Sequence, residues 1–445
     1  MFFGIIPHLC KIDKLNGPTD LTHSKKIAER DKKYLWHPLT QHKLHPNTLA
    51  IARAKGVFLY DEAGNAYIDG ISSWYTAVYG HCNQFILDEV KKQMGTLDQV
   101  VFSGFTHEPA VKLAEALIPL LPYNQEKLFF SDNGSTATEV GIKMALQYHF
   151  NKGAKRNVIL ALEEGFHGDT FGAMSVSGLS VYNGPFEEHL IAVERISIPS
   201  NEELDEPLQK LEKRLQKGDV AAFIYEPLVQ GAAAMKMHDP KGLCQVLRLM
   251  KKYEVLMVAD EVMTGFGKTG THFASDQITI KPDIICLSKA LTAGLVPMAI
   301  TSCTKYVYDA FYSDEMSKGL FHGHTYTANP LACAAALSGI TLLQSEAIQE
   351  QLKQINQWHR DFAMEMKEHP RVQATRVLGV IFALDLNLEM ERYGNLRDKL
   401  YKHFMDNGVF LRPLGNTIYI LAPYIITKTQ MMRIYDAIRS SLEMV

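Results

Sequence analysis

The chain has 445 residues, 47% hydrophobic and 21% charged, with a formal net charge of −3. That balance gives no support to a polybasic nucleic-acid or anionic-membrane binder, and no apolar run approaches membrane-spanning length. The length exceeds one ordinary core, so two or more domains are expected.

Residues 1–30 read as a loosely held N-terminal extension, since charges and turn formers dominate from Lys11. Residues 1–10 are apolar but lack a basic start and a small-residue cleavage site, so no secretory signal is expected. Six scattered cysteines with no Cys-x-x-Cys pair fit reduced thiols in the cytoplasm, not a disulfide frame or a zinc site. An ordered part opens at Asp31. Residues 56–60 and 66–69 flank Asp61-Glu62-Ala63-Gly64-Asn65 and predict a hairpin. Ser72-Ser73-Trp74-Tyr75 and Gly80-His81 follow. Aromatics beside a glycine turn pack a core or wall a substrate site.

From about residue 108 helical periods alternate with short apolar strands at 127–130, 158–162, 221–225, 255–259, 284–287 and 298–303. This predicts an α/β domain with a mostly parallel sheet covered on both faces, and ligands bind such sheets at the strands' carboxyl ends. Helices over 331–343 and 346–367 follow, then a strand at 380–386 and a helix to about 406. A hairpin of 409–412 with 418–421 and a final helix from Thr427 complete an α+β unit.

The polar clusters fall at strand ends. Ser131-Asp132-Asn133-Gly134-Ser135-Thr136 leads from a strand into a helix. Backbone N–H groups and hydroxyls there suit a phosphate, although a plain capping box, with Glu139 three residues after Thr136, reads the same. Glu164-Gly165-Phe166-His167-Gly168-Asp169 sets an aromatic between glycines, suited to a flat ligand or to a tight turn. Asp260-Glu261 ends a buried strand, and Asp260 would be costly unpaired. A cationic ring nitrogen would keep it ionised, whereas a metal lacks a histidine pair at ligand spacing. Lys289 ends the run Ile284-Ile285-Cys286-Leu287 one β–α–β step later. It either snorkels to the surface or, neutral, serves as a Schiff-base nucleophile. Phosphate loop, flat aromatic, buried carboxylate and strand-end lysine, in that order, are the requirements of pyridoxal phosphate (PLP).

The chain resembles the class III (ω-type) aminotransferases of PLP fold type I, from about Trp36 to Tyr424. The segments that carry this are WHPLT at Trp36, SSWY at Ser72, SDNGST at Ser131 and GFHGDTFGAMSVSG at Gly165. They continue with YEPLVQGA at Tyr225, ADEVMTGFGKTG at Ala259, LSKAL at Leu287, HGHTYTANPLACAAA at His322 and LRPLGNTIYILAPY at Leu411. Within class III the chain looks like the branch that serves biotin biosynthesis. That branch implies 8-amino-7-oxononanoate as amino acceptor and S-adenosylmethionine or another amine as donor. Another class III ω-amino acid or diamine:2-oxoacid activity is the alternative.

The resemblance further implies catalytic roles for Lys289, which joins the cofactor's aldehyde and moves the proton, and for Asp260, which pairs with the ring nitrogen. Gly134 and Ser135 would hold the phosphate, and Phe166 and Val262 would face the ring. His324 and Thr325 would reach the cofactor of a neighbouring subunit, making the active unit a homodimer. Trp74, Phe166 and Gly323 would line the substrate pocket, and Arg412 would bind a carboxylate. The bland reading of Arg412 is a surface ion pair. Glu226 would lie near the cofactor or gate an arginine. Phe166 and Leu39 stand where the branch usually carries tyrosine, and Ala328 replaces a common glycine. The implied domains are an extension at 1–30, a segment at 31–80 joining the small domain, a large PLP-binding domain at 81–328 and a small α+β domain at 329–445.

Overall fold

The computed structural model describes residues 24–46, 48–178, 183–200, 202–388 and 394–444. The expected extension up to residue 23 lies outside them. Ser24–Tyr34 is already helical, because Lys, Glu, Ala and Arg dominate it and all favour helix.

Seven strands form the central sheet: β1 Gln125–Ser131, β2 Val158–Leu162, β3 Val193–Ile196, β4 Val220–Tyr225, β5 Leu256–Asp260, β6 Ile284–Leu287 and β7 Ala299–Thr304. Their order is β1-β7-β6-β5-β4-β2-β3. Strands β3, β2, β4, β5 and β6 run parallel, and β7 lies antiparallel between β6 and β1. Every residue of β4, β5, β6 and β7 is buried, as their apolar runs require in a sheet covered on both faces. Strand β3 escapes sequence reading because Val-Glu-Arg-Ile puts two charges in four residues.

Helix α1, Gly134–Asn151, starts at the carboxyl end of β1. Its capping box joins Asn133 to Thr136, not Thr136 to Glu139. Glu139 instead accepts from the Thr170 hydroxyl and from the Gly172 and Ala173 N–H groups, tying α1 to the loop after β2. Helix α2, Pro330–Gln344, is Ala-rich and largely buried, and α3, Glu346–Met366, follows it after Ser345.

A second sheet pairs Val372–Leu378, Ile381–Leu386 and Thr417–Ile420, all antiparallel. The expected hairpin of 409–412 with 418–421 does not form. Pro413 cannot donate to a ladder, and the turn at Gly415 closes only a single Leu414–Thr417 bridge. Val409–Phe410 pairs in parallel with Ala66–Asp69, in a sheet with Phe58–Asp61 and Ile51–Lys55. The predicted hairpin of 56–60 with 66–69 is present as Phe58–Asp61 against Ala66–Asp69. N-terminal and C-terminal segments therefore share one sheet, which sets the Trp74 turn beside Arg412. Among the described residues no single helix is long and apolar enough to cross a membrane.

Asp283, just before β6, accepts the Met257 N–H at 2.8 Å and the Tyr306 hydroxyl. Burial pushes its carboxyl from 3.8 up to about 6, although both bonds pull it down. The stability tied to its protonated form is present below its ordinary value and lost as pH rises through about 6. Relative to Asp283→Asn, the wild type is expected to lose on the order of 3 kcal/mol of unfolding free energy over that window and none above it. Paired thermal melts between pH 4 and 8 check this, and a difference flat with pH would refute it.

Candidate active site

Asp260 is the last residue of β5 and is buried. Its register partner on β6 is Cys286, so Lys289 emerges three residues later at the same edge of the sheet. Asp260 Oδ1 accepts the Val262 N–H at 3.0 Å, and Oδ2 meets His167 Nδ1 at 2.7 Å. Burial alone would lower the His167 pKa. The hydrogen bond and charge of Asp260, with Glu226 nearby, more than offset this and leave it raised. Asp260 therefore favours the cationic form of His167.

Loop 165–169 brings His167 there. Thr138 Oγ1, on α1, donates to His167 O at 3.2 Å, and the His167 N–H donates to Ser177 Oγ at 2.9 Å. The Asp169 N–H donates to Ser135 Oγ at 3.3 Å. Glu226, buried just after β4, accepts the Phe166 and Gly231 N–H groups, each at 3.0 Å. Burial pushes its carboxyl up to about 7. It holds the loop by these two backbone bonds.

Lys289 opens a short 3₁₀ turn with a left-handed backbone, φ 48°. For a residue with a side chain this costs about 1–2 kcal/mol. Ser288 Oγ anchors the turn by donating to Met298 O at 2.8 Å. Burial lowers the Lys289 pKa, with Asp260 and Glu226 opposing. Its Nζ lies 5.3 Å from the centre of the Tyr75 ring.

A Cβ on Gly134 would come within 2.9 Å of Val262 Cγ1 and 3.8 Å of Ser288 Cβ. Glycine is thus required where the start of α1 meets the chain beside Asp260 and Lys289. Phe166 is half-exposed and Trp74 is 44% exposed, with the Arg412 guanidinium 5.2 Å from its ring centre. That contact is a cation–π pair, not the surface ion pair of the bland reading.

Gly134, Ser135, Phe166, Asp260, Val262 and Lys289 therefore converge, and Trp74 and Arg412 pair beside them. His324 Nδ1 is 3.4 Å from Asp132 Oδ2, at the edge of the same loop. Gly323 and Thr325 are exposed, and Thr325 O accepts Gln99 Nε2 at 3.0 Å. His167 received no role from the sequence. Its one signal is its place between Phe166 and Gly168, and nothing local shows that it meets a carboxylate 93 residues away.

The fold and this lysine–aspartate pair at the carboxyl edge of the sheet are those of a PLP-dependent transaminase. The chain belongs to the class-III aminotransferases, whose profile matches residues 40–442. It is 43% identical over 420 residues to the adenosylmethionine-8-amino-7-oxononanoate aminotransferase of Synechococcus elongatus, covering 92% of this chain and 98% of that one. The Staphylococcus aureus enzyme of the same name is 35% identical, over 89% of this chain and 93% of its own. A crystal structure of the Methanocaldococcus jannaschii enzyme of that name matches with a TM-score of 0.89 at 31% identity, covering 95% and 99%. A Pseudomonas jessenii ω-transaminase in complex with PMP matches at 0.88 and 27%, covering 94% and 97%.

The cofactor is PLP, as in the rest of the family. Two features fit it. Gly134 lets the first turn of α1 pack directly against Val262, which sets a helix N-terminus, suited to a phosphate, beside Asp260. His167 Nε2 is buried without a partner among the described residues, while Nδ1 binds Asp260, so the pair is set for a further polar group.

His167→Ala leaves Asp260 buried and short of its partner, at a cost on the order of 3 kcal/mol. The expected result is faster cofactor release, with affinity for PLP falling about 100-fold or more. Dialysis followed by absorbance of the retained cofactor checks this, and wild-type retention would refute it.

Proposed function

We propose that the protein transfers the amino group of S-adenosylmethionine to 8-amino-7-oxononanoate, giving 7,8-diaminononanoate, a step of biotin biosynthesis. The curated relatives so named span most of the chain at 34–43% identity, which supports the substrate pair. The observation that carries the reading is the meeting of Lys289, Asp260 and the Trp74–Arg412 pair at one edge of the sheet.

PLP, when bound, supplies an electron sink for the substrate α-carbon. The rest falls to this chain. Asp260, oriented by His167, would pair with the ring nitrogen. Burial favours the neutral amine of Lys289, the form in which Nζ can take a proton from the substrate carbon and return it. Gly134 and Ser135 would hold the phosphate, and Phe166 and Val262 would lie against the ring. Arg412 binds a substrate carboxylate, because a planar guanidinium offers it two parallel donors. Trp74, Tyr75 and Phe166 form the apolar wall that a bulky donor and a long alkyl acceptor occupy in turn.

The active unit in this reading is a cytoplasmic homodimer. Phe321 is 72% and Tyr326 62% exposed, an apolar surface flanking Gly323, His324 and Thr325. A second copy seated there would bring Thr325 and His324 to the neighbouring cofactor and Gly323 to its substrate pocket. Residues 81–328 then serve as the cofactor domain, with 31–80 and 329–445 forming the smaller one. Lysine as donor is the second reading, since Phe166 and Leu39 offer no hydroxyl to the donor.

Single-turnover mixing of the PLP form with S-adenosylmethionine, lysine, ornithine or β-alanine tests the donor. Conversion to the pyridoxamine form by S-adenosylmethionine is expected, and conversion by ornithine or β-alanine alone would overturn the assignment. Lys289→Ala should abolish turnover and the absorbance of the lysine-linked cofactor. Arg412→Ala should raise the acceptor KM about 10- to 100-fold with the cofactor still bound. An unchanged KM would remove Arg412 from the carboxylate site.

A further inference from the structure

The turn that presents Trp74 is strained, and a buried carboxylate holds it. Ser72, Ser73, Trp74 and Tyr75 have φ of 48°, 46°, 69° and 72°, four successive left-handed residues without a glycine. Such a run persists only where its surroundings over-determine it. Asp69, fully buried at the end of Ala66–Asp69, supplies the surroundings. Its Oδ2 accepts the Ser73 hydroxyl at 2.7 Å and meets His81 Nε2 at 2.8 Å, and Oδ1 accepts the Ile71 N–H at 3.3 Å.

The turn is also tied to the strand that leads to Arg412. The Gly70 N–H donates to Phe410 O at 3.0 Å, and the Leu421 N–H donates to Gly70 O at 2.9 Å. Ser72 Oγ donates to Leu421 O at 2.7 Å. A Cβ on Gly70 would lie 2.5 Å from Leu411 Cδ2, so the two chains leave their shared sheet in direct contact. The outcome is a turn with two working faces. Trp74 lies under the Arg412 guanidinium, and Tyr75 lies 5.3 Å from Lys289 Nζ with its other neighbour Tyr419 at 5.9 Å.

We propose that Asp69 is a positioning residue for the substrate pocket, locking the left-handed turn at 72–75 through Ser73 and His81 and so setting where Trp74 holds Arg412 relative to Lys289. The proposal rests on Trp74 and Arg412 being the substrate-binding pair put forward above. Asparagine at 69 presents one acceptor oxygen where Asp69 presents two. It cannot accept from Ser73, His81 and Ile71 together, so the turn loses part of what holds it against relaxation.

The test uses full-length holoenzyme carrying Asp69→Asn or Ser73→Ala, with Arg412→Ala as reference. Trp74 emission is read after Trp36 and Trp358, the other tryptophans, are changed to phenylalanine. Asp69→Asn is expected to raise the acceptor KM about tenfold and to shift Trp74 emission in the direction that Arg412→Ala shifts it. Cofactor absorbance and melting temperature should stay close to wild type. Ser73→Ala should do the same to a smaller degree, and it decides the matter if Asp69→Asn does not fold. Unchanged KM and emission overturn the proposal. So does a loss of cofactor and thermal stability with the KM of the surviving holoenzyme unchanged, which marks a structural residue only. If Arg412→Ala itself leaves the acceptor KM unchanged, the carboxylate-clamp reading fails, and the Trp74 emission of the Asp69 and Ser73 variants still decides the positioning role.

Discussion

A carboxylate at the end of a fully buried strand governs this structure. Asp260 has left water with β5, and an unpaired charge there would cost several kcal/mol. Folding meets that cost by bringing His167 to one oxygen and the Val262 N–H to the other. Loop 165–169 must then close over the strand end. It does so by hydrogen bonds to Ser135 and Thr138 on α1, to Glu226 after β4, and to Ser177. The chain that satisfies Asp260 is the same chain that assembles the cofactor site. Lys289 arrives from the next strand with its amine desolvated, which favours the neutral form.

A second constraint comes from strand pairing between distant parts of the chain. Ala66–Asp69 and Val409–Phe410 run parallel in one sheet, so both lead outward at the same end. One continues into the Trp74 turn and the other into Arg412. Four successive left-handed residues stand here, and Lys289 is another left-handed residue. Residues held in left-handed conformations keep their side chains where relaxed backbone would not, and the surrounding hydrogen bonds carry the cost. Rigid presentation of this kind lowers the ordering cost of binding.

Much of the fold was legible in the amino-acid pattern. Strands β2 and β6 stand at 158–162 and 284–287 as their apolar runs predict, and β1, β4, β5 and β7 differ by one or two residues at their ends. All of these but the edge strand β1 are largely buried on both faces, so composition alone marks them. Val193–Ile196 and Val372–Leu378 were not legible, because charged and polar residues break their apolar runs. The 409–421 stretch was misread as a hairpin because sequence proximity favours local pairing. Pro413 and the turn at Gly415 instead send its two halves to different sheets.

The residue order by itself determined the parts of the site: a polar loop opening a helix, an aromatic between glycines, and an aspartate and a lysine at strand ends. It did so because each part is a local pattern of a few neighbouring residues. Only the tertiary structure decided which of them meet. His167 and Asp260 are 93 residues apart, and Asp69, Ser73 and His81 acquire their roles only once the N-terminal strand lies against Val409–Phe410. A hydrogen bond of 2.7 Å between distant residues leaves no periodicity in a sequence. It exists because a buried charge must find a partner, and the folded chain fixes which one it finds.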